Sequence, residues 1–431
     1  MTELSRLPED ELRALHEQTL TRYRAFRDRG LKLNMARGKP APEQLAQSNA
    51  LLALPGEGQH TAEDGTDCRN YGGGQGLAEA RRLFSALVGA PAEQTVVAEN
   101  ASLAMMHDNI VYSLLLGNPD SPRPWAREER VRFLCPVPGY DRHFAICEEF
   151  GIEMINIPMT GEGPDMDRVE SLVAEDPTIK GIWCVPKYSN PTGEVYSDEV
   201  VERLARMETA APDFRIFWDN AYGVHHLTDD PPELADLIAA CERAGNGNRP
   251  LVFASTSKIT FAGAGLGVFG SSAANVKWYL GRAGKRAIGP DKINQLRHLA
   301  MLPDMAAVER LMDGHRRLIA PKFEAVDEAF HRVLGDHPAA SWTRPKGGYF
   351  ISLDTPPGCA RRTVELAGEA GVVMTPAGAT FPYGEDPEDR NVRVAPTFPS
   401  LEEVEMAAEG IAVATLLAAT EKALGGHSGS G

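Results

Sequence analysis

The chain has 431 residues, 43% of them hydrophobic and 24% charged, and its 60 acidic and 44 basic side chains leave a net charge of −16. That composition suits a folded chain with a large buried core, while the acidic balance argues against a nucleic-acid or anionic-membrane surface, which needs a basic footprint. No apolar run approaches the roughly 20 residues needed to cross a bilayer, and the opening MTELSRLPEDELRALHEQ is acidic and helical rather than a secretory leader. The six cysteines are scattered, with no CxxC pair and no metal-like spacing, so no metal site is expected and a reduced, cytoplasmic setting is the simplest reading.

In chain order, residues 8–29 are predicted as a helix, with Pro8 in its first turn, Gly30 as its stop, and Leu12, Leu15, Tyr23 and Phe26 on one buried stripe. LKLNMARGKP follows as an extended stretch, then a polar loop to about residue 65. From about residue 78 to 270 helical and strand-like segments alternate. Apolar runs at 131–135, 152–157, 179–185, 215–218, 251–254 and 266–269 are predicted as buried parallel strands, with helices between them such as 77–88 and 197–208. This alternation implies an α/β fold with a mostly parallel sheet covered on both faces, and chemistry in the loops beyond the carboxyl ends of its strands. After Gly289 a mostly helical stretch, 292–334, leads to strands and helices over 341–394 and a closing helix at about 400–424, the pattern of a smaller α+β domain.

The strand ends carry suggestive residues: Asn190-Pro191-Thr192-Gly193, Asp219-Asn220-Ala221-Tyr222, Ser255-Thr256-Ser257-Lys258 and Val137-Pro138-Gly139-Tyr140. Each alone reads as a turn, a helix cap, a polar loop or packing. Together they supply what pyridoxal phosphate requires. A lysine can hold it as a Schiff base, a carboxylate can pair with the pyridinium nitrogen, an asparagine and a tyrosine can bond the phenolic oxygen, and an aromatic face can stack on the ring.

LNMARGKP, NYGGGQGLAEAR, ENASLAMMHD, PVPGYDRH, SNPTG, DNAY, STSK, KGGYF and VRVAPTF, in this order, resemble the fold-type I pyridoxal-phosphate aminotransferases of the aspartate aminotransferase superfamily, and most closely the branch labelled MocR-type. The resemblance covers about residues 33–423. It implies that Lys258 is the Schiff-base lysine and proton shuttle, Asp219 the pyridinium partner, Asn190 and Tyr222 the phenolic-oxygen pair, and Tyr140 the stacking aromatic. Ser102 and the amides of Asn100, Ala101, Ser102 and Leu103 would form the phosphate cup, joined by Ser255 and Ser257, with Tyr71 reaching the phosphate of a partner subunit. Arg393 would clamp the substrate α-carboxylate, and Gly38 would pass over the substrate. The implied division is 1–52 with the small domain, 53–300 as the large cofactor-binding domain, 301–424 as the small domain and 425–431 as a disordered tail. A homodimer with shared active sites, acting on an amino acid and a 2-oxoacid, is expected.

Two positions depart from the pattern. Leu266 stands where many family members carry a phosphate-binding arginine, leaving hydroxyls and helix amides, or Lys285 or Arg286, to serve the phosphate. The distal end of a dicarboxylate has Lys292, Arg297, Arg37 and Arg142 as candidates, Lys292 being the one assigned to substrate. The expected activity is transamination between L-aspartate and 2-oxoglutarate by a ping-pong mechanism. The alternatives are another amino donor or a β-lyase on the same scaffold. A MocR-type regulatory module is disfavoured, because only about 30 residues precede LNMARGKP and the charge has the wrong sign for DNA.

Overall fold

The computed structural model describes residues 3–337 and 339–428. Among the described residues twelve strands occur in chain order: β1 (Leu33–Asn34), β2 (Thr95–Ala98), β3 (Arg132–Val137), β4 (Glu153–Pro158), β5 (Ile179–Cys184), β6 (Arg215–Asp219), β7 (Pro250–Ser255), β8 (Gly267–Gly270), β9 (Ser341–Trp342), β10 (Ile351–Asp354), β11 (Val372–Val373) and β12 (Asn391–Val394). Seven form one large sheet in the order β2-β8-β7-β6-β5-β3-β4. Its neighbours run parallel except at β8, which is antiparallel to both β7 and β2. The expectation of a parallel strand at 266–269 is therefore corrected: only the short loop 256–266 separates β7 from β8, too short for the crossover that a parallel return needs. β2, the four-residue run TVVA, lies outside the runs predicted as strands.

The sheet is hydrophobic on both faces, as doubly covered strands must be. One face packs through Leu134, Ile182, Ile216, Val252 and Val268, the other through Phe133, Trp183, Phe217, Phe253 and Phe269. Each such side chain contributes about 1.5–3 kcal/mol by leaving water. Helix starts follow local chemistry: Asp165, Ser197, Asp236, Ser272, Asp291 and Asp304 each accept a backbone N–H of the first turn they precede. The mostly helical stretch 292–334 consists of two helices, Lys292–Met301 and Met305–Leu334, split at Pro303, whose missing N–H and ring disfavour a continuous helix. The loop expected up to residue 65 contains a short helix, Pro42–Ala46, and a 3₁₀ turn, Asn49–Leu52.

A second core joins the first helix, Glu9–Arg27, to the closing helix and to the three-stranded sheet β12-β10-β9. LKLN enters it as β1, paired in parallel with β11. The closing helix spans Leu401–Ser428, so the first residues of the stretch expected as a disordered tail are helical; residues 429–431 lie outside the described residues. Met305–Leu334 serves both cores: Val308 and Met312 pack on the large sheet, whereas Phe323, Val326 and Phe330 belong to the second core. Among the described residues no helix is long and apolar enough to cross a membrane.

Candidate active site

The carboxyl ends of β6 and β7 carry the central pair. Asp219 closes β6 and is buried, with Oδ2 3.1 Å from His143 Nε2 and Oδ1 without a hydrogen-bond partner. His143 is held in turn by stacking on Trp183, centroids 4.3 Å apart at 9°, with Tyr140 edge-on at 4.9 Å. Lys258 lies just past β7, half-buried, its Nζ 5.0 Å from the centroid of the Tyr222 ring and 5.9 Å from that of Tyr349. Burial pushes the Lys258 ammonium below the ordinary lysine value, against a smaller opposing pull from Asp219. Burial likewise raises the Tyr222 phenol, reinforced by charge on Tyr140 and Asp219.

Two glycines let the aromatic wall close. A Cβ on Gly347 would lie 2.2 Å from the Tyr188 ring, and Gly348 has a left-handed φ of +86°. The KGGYF backbone therefore lies against Tyr188, with Gly348 N–H donating to the His225 carbonyl at 2.8 Å, and delivers Tyr349 and Phe350 to the site. Tyr222 packs tilted on Tyr349 at 5.9 Å and edge-on to Phe350 at 6.4 Å. Arg393 also stands against that wall, 7% exposed on β12, its guanidinium 4.9 Å from the Phe350 centroid. It donates from Nη1 to Asp141 Oδ1 at 2.9 Å and, more weakly, to Asn190 Oδ1 at 3.4 Å; Nη2 lies 3.5 Å from Thr375 Oγ1, and Nε is buried without a partner. Gly38 backs the same ring, since a Cβ there would sit 2.5 Å from Phe350 Cζ.

A third group assembles on the rim. Ser102 opens the helix Ser102–Leu116, whose first amides have no intrahelical acceptor. Asn100 is exposed, Ala101 is extended at the helix entry, and Leu103 is half-buried in the first turn. Ser255 and Ser257 share a hydroxyl contact of 2.6 Å, and Ser257 Oγ donates to the Asn100 carbonyl at 3.3 Å. Gly265 is wedged among them: a Cβ would meet Ser257 N and Oγ at 2.9 Å and Asn100 O at 3.0 Å. Leu266 is buried in the core, and Arg286 is the cation of GRAGKR that approaches this rim. It forms ion pairs with two carboxylates, Glu99 and Asp108, the latter at 3.1 Å, so its charge is locally matched; Lys285 is exposed.

The candidates for a distal carboxylate fare differently. Lys292 is buried and donates from Nζ to the carbonyls of Asn70 at 2.7 Å and Gly72 at 2.8 Å, so its amine grips the loop that carries Tyr71. Two of its three N–H donors are engaged in this way. Tyr71 itself is 80% exposed. Arg37 and Arg142 are exposed, and Arg297 is half-buried with Nε unpartnered. His143 and Asp141 lie within PVPGYDRH and Tyr349 within KGGYF, but their local sequence does not mark them as site residues. His143 could have been found from its place one turn into a helix that begins right after Tyr140.

The chemical fit to pyridoxal phosphate rests on these atoms. A buried carboxylate oxygen lacking a donor suits a protonated ring nitrogen, an amine disfavoured as a cation suits covalent attachment, and hydroxyls with helix amides suit a phosphate.

A family model described as aspartate amino-transferase matches residues 7–427. The aspartate aminotransferase of Corynebacterium glutamicum is 51% identical over 406 residues, 94% of each chain. A Mycolicibacterium smegmatis protein is 58% identical over 421 residues, 97% of this chain and 98% of its own. The crystal structure of an aspartate transaminase from C. glutamicum superposes with a TM-score of 0.96 at 49% identity, covering 98% of this chain and 99% of that one.

Proposed function

The chain belongs to the aspartate aminotransferase family and is an aminotransferase; from that premise we propose that it moves the amino group of L-aspartate to 2-oxoglutarate, with pyridoxal phosphate as its cofactor. The observation that carries the reading is one site containing a buried carboxylate with an unengaged oxygen, an amine that burial biases toward neutrality, and a buried guanidinium with an unengaged N–H. Lys258 would hold the cofactor, with Asp219, Asn190, Tyr222 and Tyr140 around its ring and Ser102, Ser255, Ser257 and the amides near Ala101 and Leu103 at its phosphate. Bound there, it supplies an electron sink that makes the Cα–H bond of an amino acid acidic.

The chain's own residues do the rest. Arg393 binds the α-carboxylate and turns Cα toward Lys258, both lying against the Tyr222–Tyr349–Phe350 wall. Lys258, as a neutral amine, removes the Cα proton, a role that needs a pKa below that of free lysine. His143 fixes one oxygen of Asp219 and leaves the other for the ring nitrogen. One guanidinium serves both carboxylate substrates, so they bind in turn and the kinetics are ping-pong.

The exposed Tyr71, on a loop gripped by Lys292, supports a two-fold homodimer in which it completes the partner's phosphate site. A cytoplasmic setting belongs to the same reading. The test is a spectrum of the reconstituted protein before and after L-aspartate is added without an acceptor. The visible band of the lysine-bound cofactor is expected to vanish with one equivalent of oxaloacetate. Conversion by L-alanine or an aromatic amino acid but not by aspartate would overturn the donor, and release of pyruvate and ammonia would indicate a β-lyase.

A further inference from the structure

Arg393 is matched by a carboxylate of its own chain. The Asp141 contact at 2.9 Å is the short one; the Asn190 and Thr375 contacts, at 3.4 and 3.5 Å, are at the limit of hydrogen bonding. The two partners differ in burial, the Arg393 side chain being 7% exposed and that of Asp141 38%. A guanidinium this buried would be strongly destabilised without an anion. Asp141, half in solvent, can release it at lower cost, and it is the first residue of the helix Asp141–Glu149, where the backbone amides favour a carboxylate whether or not it is paired.

We infer that Asp141 is a built-in counter-anion for Arg393, a carboxylate with which every incoming substrate carboxylate must compete, so that it sets the affinity of the site downward. The inference rests on Arg393 being the carboxylate clamp. Asp141 is a positioning residue: it acts on substrate through Arg393 and takes no part in proton transfer. Because the same competition meets the amino acid and the oxoacid, it weakens binding of both without altering the step that follows.

The experiment uses the holoenzyme, with succinate as a non-reacting dicarboxylate titrated by calorimetry at fixed ionic strength. Asp141→Asn keeps the size and a hydrogen-bond acceptor but removes the charge. It is expected to bind succinate about tenfold more tightly, with the KM values for both substrates falling together and kcat within about twofold. Asp141→Glu restores the charge and is expected to bind as the parent does. Asp141→Ser repeats the test should the Asn variant fold poorly. Unchanged or weaker binding by the uncharged variants, with no binding by Arg393→Ala, would show that Asp141 only orients the guanidinium; the inference then fails and the clamp stands. Undiminished binding by Arg393→Ala would remove the clamp and the inference together.

Discussion

The two ends of the candidate site are built by different means. At the lysine end, Asp219, Ser255 and Lys258 sit at or just past the ends of adjacent parallel strands, so the direction of β6 and β7 alone brings them together. At the arginine end, Arg393 lies within a strand of another sheet, opposite Ser352, and meets Asp141 across a gap of 252 residues in sequence. The first end tunes a charge by removing water from it. The second tunes a charge by giving it a partner. Groups whose protonation must change are placed where burial controls them, and a group that must stay charged is placed beside a carboxylate.

The largest expected effect breaks the lysine end. Lys258→Ala should lower turnover of aspartate and 2-oxoglutarate by roughly 10⁴-fold, because it removes the base itself, and the visible band should be lost; a variant within tenfold of the parent would place the base elsewhere. The arginine end is expected to be softer. Arg393→Lys keeps a cation but not the planar fork, and kcat/KM should drop about 100-fold, equivalent to about 2.7 kcal/mol, through KM more than kcat. An equal loss in Lys258→Ala and Arg393→Lys would dissolve the distinction between the two ends.

The smallest effect sharpens the rule that burial tunes charge. His225, His298 and His315 are buried, and desolvation pushes their pKa values down to about 3, 4 and 4. Each is held neutral in the folded chain, so between pH 6.5 and about 4 the unfolded state binds more protons and stability falls as pH falls. Each histidine contributes at most about 1.4 kcal/mol per pH unit. Urea unfolding of His315→Gln at pH 7 and pH 5 should show the slope reduced by about one proton, whatever the change in absolute stability.

The same contrast explains what could be read from sequence. Lys258, Asp219, Tyr222 and Asn190 stand out in the sequence because strand, turn and polar residue are contiguous, and the ordered motifs leave little freedom in where they fall. The partner of Arg393 was not, since Asp141 reads locally as an ordinary helix start. The partners of Lys292 were hidden for the same reason: a lysine at a helix N-terminus says nothing of the two carbonyls of a loop some 220 residues earlier that it meets. In the fold, apolar runs located the central strands, but the reversal at β8 depends on the shortness of the preceding loop, and the split at Pro303 on one ring closure.

The helix Met305–Leu334 has an elastic consequence. Pro321 lies inside it, between Ile319, packed on the aromatic wall, and Phe323, the first of its side chains in the second core. With no N–H at Pro321 one rung of the helix is absent, so its bending stiffness is lowest where it passes from one core to the other. The helix is a beam with a notch at mid-span, placed between the residues that face the aromatic wall and those that belong to the second core.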